Sequence, residues 1–243
     1  MDNIFLKGIE LKKEIIRDYS TYPFSLSAVK NLNYLNTNNS VTFIIGDNGS
    51  GKSTLLEAIA IVCGFNAEGG SKNFRFSTFS SHSNLHKYLR LVKSTNFAKD
   101  GYFFRAESFY NLATEIERVD TDLLAAYGGK SLHSQSHGES FLALMHNRLF
   151  GNGIYIFDEP ESALSPTGQM ALLRIIHKLV KKNSQLIIAT HSPIIMAYPN
   201  ATLYEIDEEG IYEKSYQDTE HYNITRYFLN NPKRMLKELE ITN

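Results

Sequence analysis

Apolar and polar positions change their period along this 243-residue chain, and the changes mark out elements before any motif is considered. Ile4 to Ile16 alternates loosely, as one or two half-buried strands do, and a turn follows at Tyr22-Pro23. Phe24 to Leu35 reads as a further strand with a short connection, and Asn36 to Ser40 as a polar loop. Val41-Thr42-Phe43-Ile44-Ile45 is a β-branched apolar run of the kind that forms a buried strand. Leu55 to Cys63 has helical, apolar-rich character and is closed by Gly64. From there to Asp100 no strong periodicity survives, and Gly69-Gly70 and many serines interrupt the pattern. Tyr102-Phe103-Phe104 resembles another strand. Ser108 to Tyr127 carries Leu112, Ile116, Val119 and Leu123 on one helical stripe, stopped by Gly128-Gly129. A helix over Phe141 to Phe150, a buried strand at Ile154 to Phe157 and an amphipathic helix from Gln169 to Lys182 follow. Leu186 to Ala189 is the next buried strand, Thr202 to Ile206 a weaker one, and Pro232 to Leu239 a terminal helix.

Strands alternating with helices predict an α/β fold with a mostly parallel central sheet and right-handed crossovers. We expect one domain over 1–243 with an inserted lateral lobe at about 65–138. No heptad pattern is sustained, which excludes a long coiled-coil arm. With 42% hydrophobic and 21% charged residues and no long uncharged apolar run, the composition is that of a soluble chain without direct membrane insertion. The first residues lack the basic start and continuous apolar middle of a signal peptide, so a cytoplasmic location is the expectation. The single cysteine, Cys63, has no internal partner and reads as packing.

The net charge of −1 is unevenly spread. Between Gly70 and Lys99 there is no acidic residue, while Lys72, Arg75, Lys87, Arg90, Lys93 and Lys99 lie among Phe74, Phe76, Phe79, Tyr88 and Phe97. Such interleaving suits a nucleic-acid backbone and its bases, although a solvated lobe with a small aromatic core explains it better. Glu205 to Glu220 is strongly acidic and reads as exposed surface.

Chemistry concentrates elsewhere. Gly46-Asp47-Asn48-Gly49-Ser50-Gly51-Lys52-Ser53-Thr54 fits G-x-x-x-x-G-K-[ST] at every fixed position, between the strand at 41–45 and the helix from Leu55. Glycines let successive N–H groups turn inward around a phosphate, and the helix N-terminus adds a favourable dipole. Lys52 then reaches the outer phosphates, and Ser53 holds Mg²⁺. The strand at 154–157 ends in Asp158-Glu159; two carboxylates at a strand end call for a cation, with Asp158 on Mg²⁺ and Glu159 orienting or deprotonating the attacking water. His191 follows the strand at 186–189 and suits a sensor of the γ-phosphate or that water. Tyr22 or Phe24 are candidates to stack on a base. The remaining histidines, including His82, His86, His133 and His137, have no metal-site spacing.

Taken in order, these segments resemble those of ABC-type ATPases: Gly46 to Thr54 is like a Walker A loop, Ile154 to Glu159 like Walker B, Ser162-Ala163-Leu164-Ser165 like a D-loop, and His191 like the H-switch. Ser136-His137-Gly138-Glu139-Ser140 resembles the LSGGQ or LSGGE signature, with Gln135 in place of its leucine and His137 in place of a glycine. Ser165 replaces the usual D-loop aspartate, and where a Q-loop glutamine is expected the chain has Arg105 and Glu107. The resemblance is to small stand-alone AAA/ABC-like ATPases that share the SMC and RecF core. It implies a P-loop NTPase head with an N-terminal antiparallel β portion, using ATP and Mg²⁺. It also implies that Ser136, Gly138 and Glu139 close over the nucleotide of a second copy, giving an ATP-dependent homodimer. On this reading the chain is an ATP-driven dimerisation switch in a genome-maintenance or defence complex, with an effector protein as partner. The alternatives are an ATP-binding scaffold with little turnover, or the ATP-binding subunit of a membrane transporter.

Overall fold

Val41–Gly46, Gly153–Asp158 and Gln185–Ala189 are buried along their whole length, as strands covered on both faces must be. They form the centre of a computed structural model that describes residues 4–71, 82–107 and 137–241. In chain order the elements begin with β1 (Leu6–Leu11), α1 (Ser27–Lys30), β2 (Tyr34–Asn36), β3 (Val41–Gly46), α2 (Lys52–Val62) and β4 (Gly70–Ser71). The middle of the chain gives β5 (Leu89–Lys93), β6 (Asp100–Arg105), α3 (His137–Arg148), β7 (Gly153–Asp158), α4 (Pro166–Lys181) and β8 (Gln185–Ala189). The last are α5 (Pro193–Met196), β9 (Thr202–Asp207), β10 (Gly210–Lys214), α6 (Glu220–Asn230) and α7 (Pro232–Glu238).

The main sheet has seven strands in the order β10-β9-β3-β8-β7-β6-β4. Its five inner strands run parallel, and β10 and β4 close the edges antiparallel. Alternate side chains feed two cores, as the two-residue strand period requires. Ile44, Ile156 and Ile187 face Leu55, Leu56 and Ile59 of α2. Val41, Phe43, Tyr155, Phe157, Leu186 and Ile188 face Phe141 and Leu144 of α3 and Leu172 and Ile176 of α4. A separate antiparallel sheet, β2-β1-β5, joins the α2 side through Ile9, Leu35 and Leu89. This is the α/β class expected, with the mostly parallel sheet and the N-terminal antiparallel portion.

Buried side chains stitch the two sheets: the Tyr204 hydroxyl of β9 donates to the Asn36 carbonyl of β2 at 3.1 Å, and Gln185 does more. Gln185, at the start of β8, accepts from the N–H groups of Phe5 and Leu6 at 3.1 and 2.8 Å and donates to the carbonyls of Leu6 and Thr37. Buried backbone groups need partners, and here a strand residue of one sheet supplies them to the other.

Several local expectations are corrected. Phe24 to Leu35 is not a strand: it holds the short helix α1, and extended structure resumes only at Tyr34. The acidic stretch from Glu205 to Glu220 is not mere surface. It contains β10, the start of α6, and the buried Glu205, whose carboxylate takes the Lys214 ammonium at 2.5 Å. Within 65–138, β4 and β6 belong to the main sheet and β5 to the small one. The helix expected at Ser108 to Tyr127 lies outside the described residues, as do Lys72, Arg75, Phe74, Phe76 and Phe79. Of the remaining basic and aromatic positions, Arg90 is engaged with Glu10 at 2.7 Å, and Tyr88 packs edge-on against Phe24.

Candidate active site

The C-terminal edge of a parallel sheet is where βα loops collect, and β3, β7 and β8 end there side by side. Register sets the height at which each releases its chain. Asp158 pairs with Ala189, and Ile44 also pairs with Ala189. The glycine loop, Asp158-Glu159 and Thr190-His191 therefore leave the sheet at one level.

The loop itself is built by backbone demand. Gly49 and Gly51 have φ of +83° and +98°, a region that L side chains rarely enter. Leu26 and Ala28 back Gly51, and the Ala28 N–H donates to the Ser50 carbonyl at 3.0 Å. The first helical hydrogen bond of α2 runs from the Leu55 N–H to the Gly51 carbonyl, so the N–H groups at the helix start have no helical acceptor. Lys52 is almost fully buried and folds back to donate to the carbonyls of Gly46 and Asp47 at 2.9 and 2.8 Å. Burial lowers its pKa, and Glu159, Asp158 and Asp47 pull the other way.

Ser53 follows on the same helix and donates from Oγ to Asp158 Oδ1 at 3.0 Å. Burial pushes the Asp158 carboxyl up to about 6, against Arg105 and the Ser53 hydroxyl. Arg105 is the register partner of Asp158 on β6, with Nε 3.6 Å from Oδ2. It also meets Glu57 at 2.6 Å, the exposed Glu107 at 3.5 Å and the Ala67 carbonyl at 3.4 Å.

Glu159 sits in the left-handed region, φ 50° and ψ 53°, held by its N–H to the Ala189 carbonyl at 3.0 Å and by Pro160 behind it. A non-glycine residue there costs about 1–3 kcal/mol, a strain that clusters at functional sites. The bend carries its carboxylate to 3.2 Å from His191 Nε2. The His191 N–H donates to Glu161, a carboxylate raised in pKa by burial, and Ser192 caps α5 through the N–H groups of Ile194 and Ile195. Burial and the Lys52 charge hold the His191 imidazole below its ordinary pKa.

The sequence-derived residues thus divide into two places. Lys52, Ser53, Asp158, Glu159 and His191 converge at one mouth, joined by the contacts just given. Gly138 and Glu139, at the start of α3, line a different cleft with Leu142, Ala163, Leu164, Ser165 and Gly168, and no residue of the glycine loop takes part in it. A Cβ on Gly138 would meet the Ala163 carbonyl oxygen at 2.8 Å, so α3 and the 160–163 turn touch through bare backbone. Ser136 lies outside the described residues. Phe24 is buried against Tyr88 and is not free to stack on a base, whereas Tyr22 is exposed.

The residues present suit a triphosphate with magnesium. The loop offers unpaired N–H groups, a buried ammonium and the buried Ser50 Oγ, which has no partner among the described residues. Ser53 and Asp158 would be the protein's ligands to Mg²⁺. The described residues hold no cluster of three or more metal-ligating side chains; phosphate and water oxygens would complete the shell, as is usual for this ion. Two further residues reach His191: Glu161, which grips its backbone, and His221, whose Nε2 is 3.2 Å from His191 Nδ1. Neither belongs to a contiguous motif.

Comparison with known proteins bears on the family and the fold. The model of the AAA domain matches residues 21–139, and that of the AAA ATPase domain matches 140–196. An uncharacterized ABC transporter ATP-binding protein of Haemophilus influenzae is 23% identical over 234 residues, 87% of each chain. The energy-coupling factor transporter ATP-binding protein EcfA1 of Fusobacterium nucleatum is 29% identical over 183 residues, 67% of each. Among solved structures, cbiO1 of Clostridium perfringens, part of the ABC transporter complex cbiONQ, superposes with a TM-score of 0.53 at 18% identity, covering 98% of this chain and all of that one. The ATP-binding cassette MJ1267 gives 0.52 at 17%, covering 95% and 97%.

Proposed function

We propose, from a chain that is a P-loop ATPase domain of the ABC/AAA type, that it binds ATP with Mg²⁺ at the β3–β7–β8 mouth, hydrolyses it, and closes on a second copy of itself in doing so. The observation that supports this most is the convergence of Lys52, the Ser53–Asp158 pair and the Glu159–His191 pair at that one edge.

Each group has a task its surroundings suit. Lys52, already desolvated, exchanges two loop carbonyls for phosphate oxygens, an ion contact that is strong because little water remains to screen it. Mg²⁺ on Ser53 and Asp158 would supply neutralisation of the β- and γ-phosphate charge. Glu159 holds the attacking water and draws its proton, and His191, by donating to Glu159, fixes where that carboxylate points. Gly138 and Glu139 line a cleft that no residue of their own chain's glycine loop shares, which suits closure over a partner's γ-phosphate.

Sedimentation of Glu159→Gln tests the switch: saturating ATP should shift it to a dimer, and a protein that stays monomeric would overturn closure. Lys52→Ala should weaken ATP binding by roughly a hundredfold, the scale for removing one partner of a buried charge contact. Phosphate release equal in wild type and Glu159→Gln would instead favour a binding scaffold.

What the engine drives is a separate question. The names of the relatives favour the ATP-binding subunit of a membrane transporter over the genome-maintenance or defence role. No helix among the described residues is long and apolar enough to cross a membrane, so in that role the span would lie outside them. Turnover raised by a co-reconstituted membrane protein from a neighbouring gene would support that role; stimulation by DNA alone would support the other.

A further inference from the structure

The strongest unassigned chemistry beside the mouth is a second imidazole. His221 stands in the first turn of α6, and its ring lies 5.3 Å from that of His191. Its position is built from outside its own helix. The Glu220 N–H donates to the buried Glu205 of β9 at 3.1 Å, and Tyr216 reaches from the preceding turn to the Pro193 carbonyl at 2.9 Å while stacking near Tyr222. Thr219 between them is fully buried. These contacts fasten the first turn of α6 to the segment that carries His191.

Hydrogen positions follow from what each atom can accept. A carboxylate only accepts, so the 3.2 Å contact with Glu159 puts a proton on His191 Nε2. A neutral His191 then has a lone pair at Nδ1, and the 3.2 Å contact there needs a donor, which is His221 Nε2–H. His221 Nδ1 is buried and has no partner among the described residues. With Nε2 carrying the hydrogen, a neutral His221 leaves Nδ1 as a lone pair; a second proton there would put an unpaired N–H and a charge in a buried place. Every contact is met when both rings are neutral and protonated at Nε2.

We propose that His221 is a positioning residue that locks His191 in its neutral Nε2–H tautomer, so that the hydrogen of His191 always points at Glu159 and the reacting phosphate edge. Without it, Nδ1–H becomes an accessible tautomer, and the molecules that hold it present a lone pair to a carboxylate. The effect on turnover rests on the ATPase reading; the tautomer does not.

The experiment uses ¹⁵N-histidine-labelled full-length protein without nucleotide at pH 8, where long-range ¹H–¹⁵N correlations identify each ring's tautomer. His191 should be Nε2–H in wild type and in His221→Gln, whose amide can still donate, and should become a mixture in His221→Phe. An Nδ1–H His191 in the wild type overturns the proposal with no variant needed, as does a His191 spectrum unchanged in His221→Phe. In parallel, kcat should fall about tenfold in His221→Phe with KM unchanged, the scale seen when the partner of a functional histidine is removed, and His221→Gln should restore most of it. A tautomer shift in a protein with no ATP turnover in any form would sustain this inference and remove the ATPase reading.

Discussion

Asp158 shows how a single residue can work against the fold that holds it. Its folded pKa of about 6 stands above the ordinary 3.8, so the folded protein binds the proton more tightly than the unfolded chain does. The resulting stability is complete below about pH 4 and is lost as pH rises through 6. Asp158→Asn has no charge to bury. In buffer with a chelator it should be more stable than wild type at pH 8, by at most about 3 kcal/mol, with the gap closing toward pH 4. Urea midpoints across that range measure it, and a gap independent of pH would contradict the assignment. Gly46 to Thr54, Asp158, Glu159 and His191 were legible in the sequence because each sits in, or directly after, a strongly apolar strand. Glu161 and His221 were not: each meets His191 across thirty residues of chain, and nothing local to either records the meeting. Arg105 stood at the right place in the order of motifs, but its ion pairs with Glu57 and Asp158 depend on strand register, which a sequence does not print.

At the scale of elements, Gln185 carries a prediction of its own. Gln185→Leu keeps the volume but strands the N–H groups of Phe5 and Leu6 and the carbonyl of Thr37. A loss of about 3–5 kcal/mol is expected, read as a lower urea midpoint with the slope unchanged. A change under 1 kcal/mol would mean that water replaces the amide. Strands β3, β7 and β8 could be read directly, since burial on both faces leaves continuous apolar runs. Over the hairpin β9–β10 the density of charge obscures the two-residue period. Asp207 accepts from the N–H groups of Glu209 and Gly210, a turn that the Asp-x-x-Gly spacing signals. Helix α6 has an amphipathic sequence, but it starts inside the acidic stretch and none of its residues is buried.

Across the whole molecule, the order β9-β3-β8 places the strand that bears the glycine loop between two strands from the last quarter of the chain. A fragment of residues 1–183 has the complete loop yet neither of its neighbours. It should bind no ATP, by fluorescence of a nucleotide analogue, at concentrations that saturate the full chain. Binding by the fragment would show that α2 and its loop are organised without the sheet.

The same arrangement governs how the protein comes off the ribosome. During synthesis β3 emerges with both of its edges bare and waits for well over a hundred residues before either partner exists, so a long apolar strand must be kept from pairing with strangers in the meantime. ATP cannot help, because its cradle takes shape only after that wait is over. A nascent chain of this kind is a natural client for holding chaperones, and its yield in a cell should depend on them more than its finished stability would suggest.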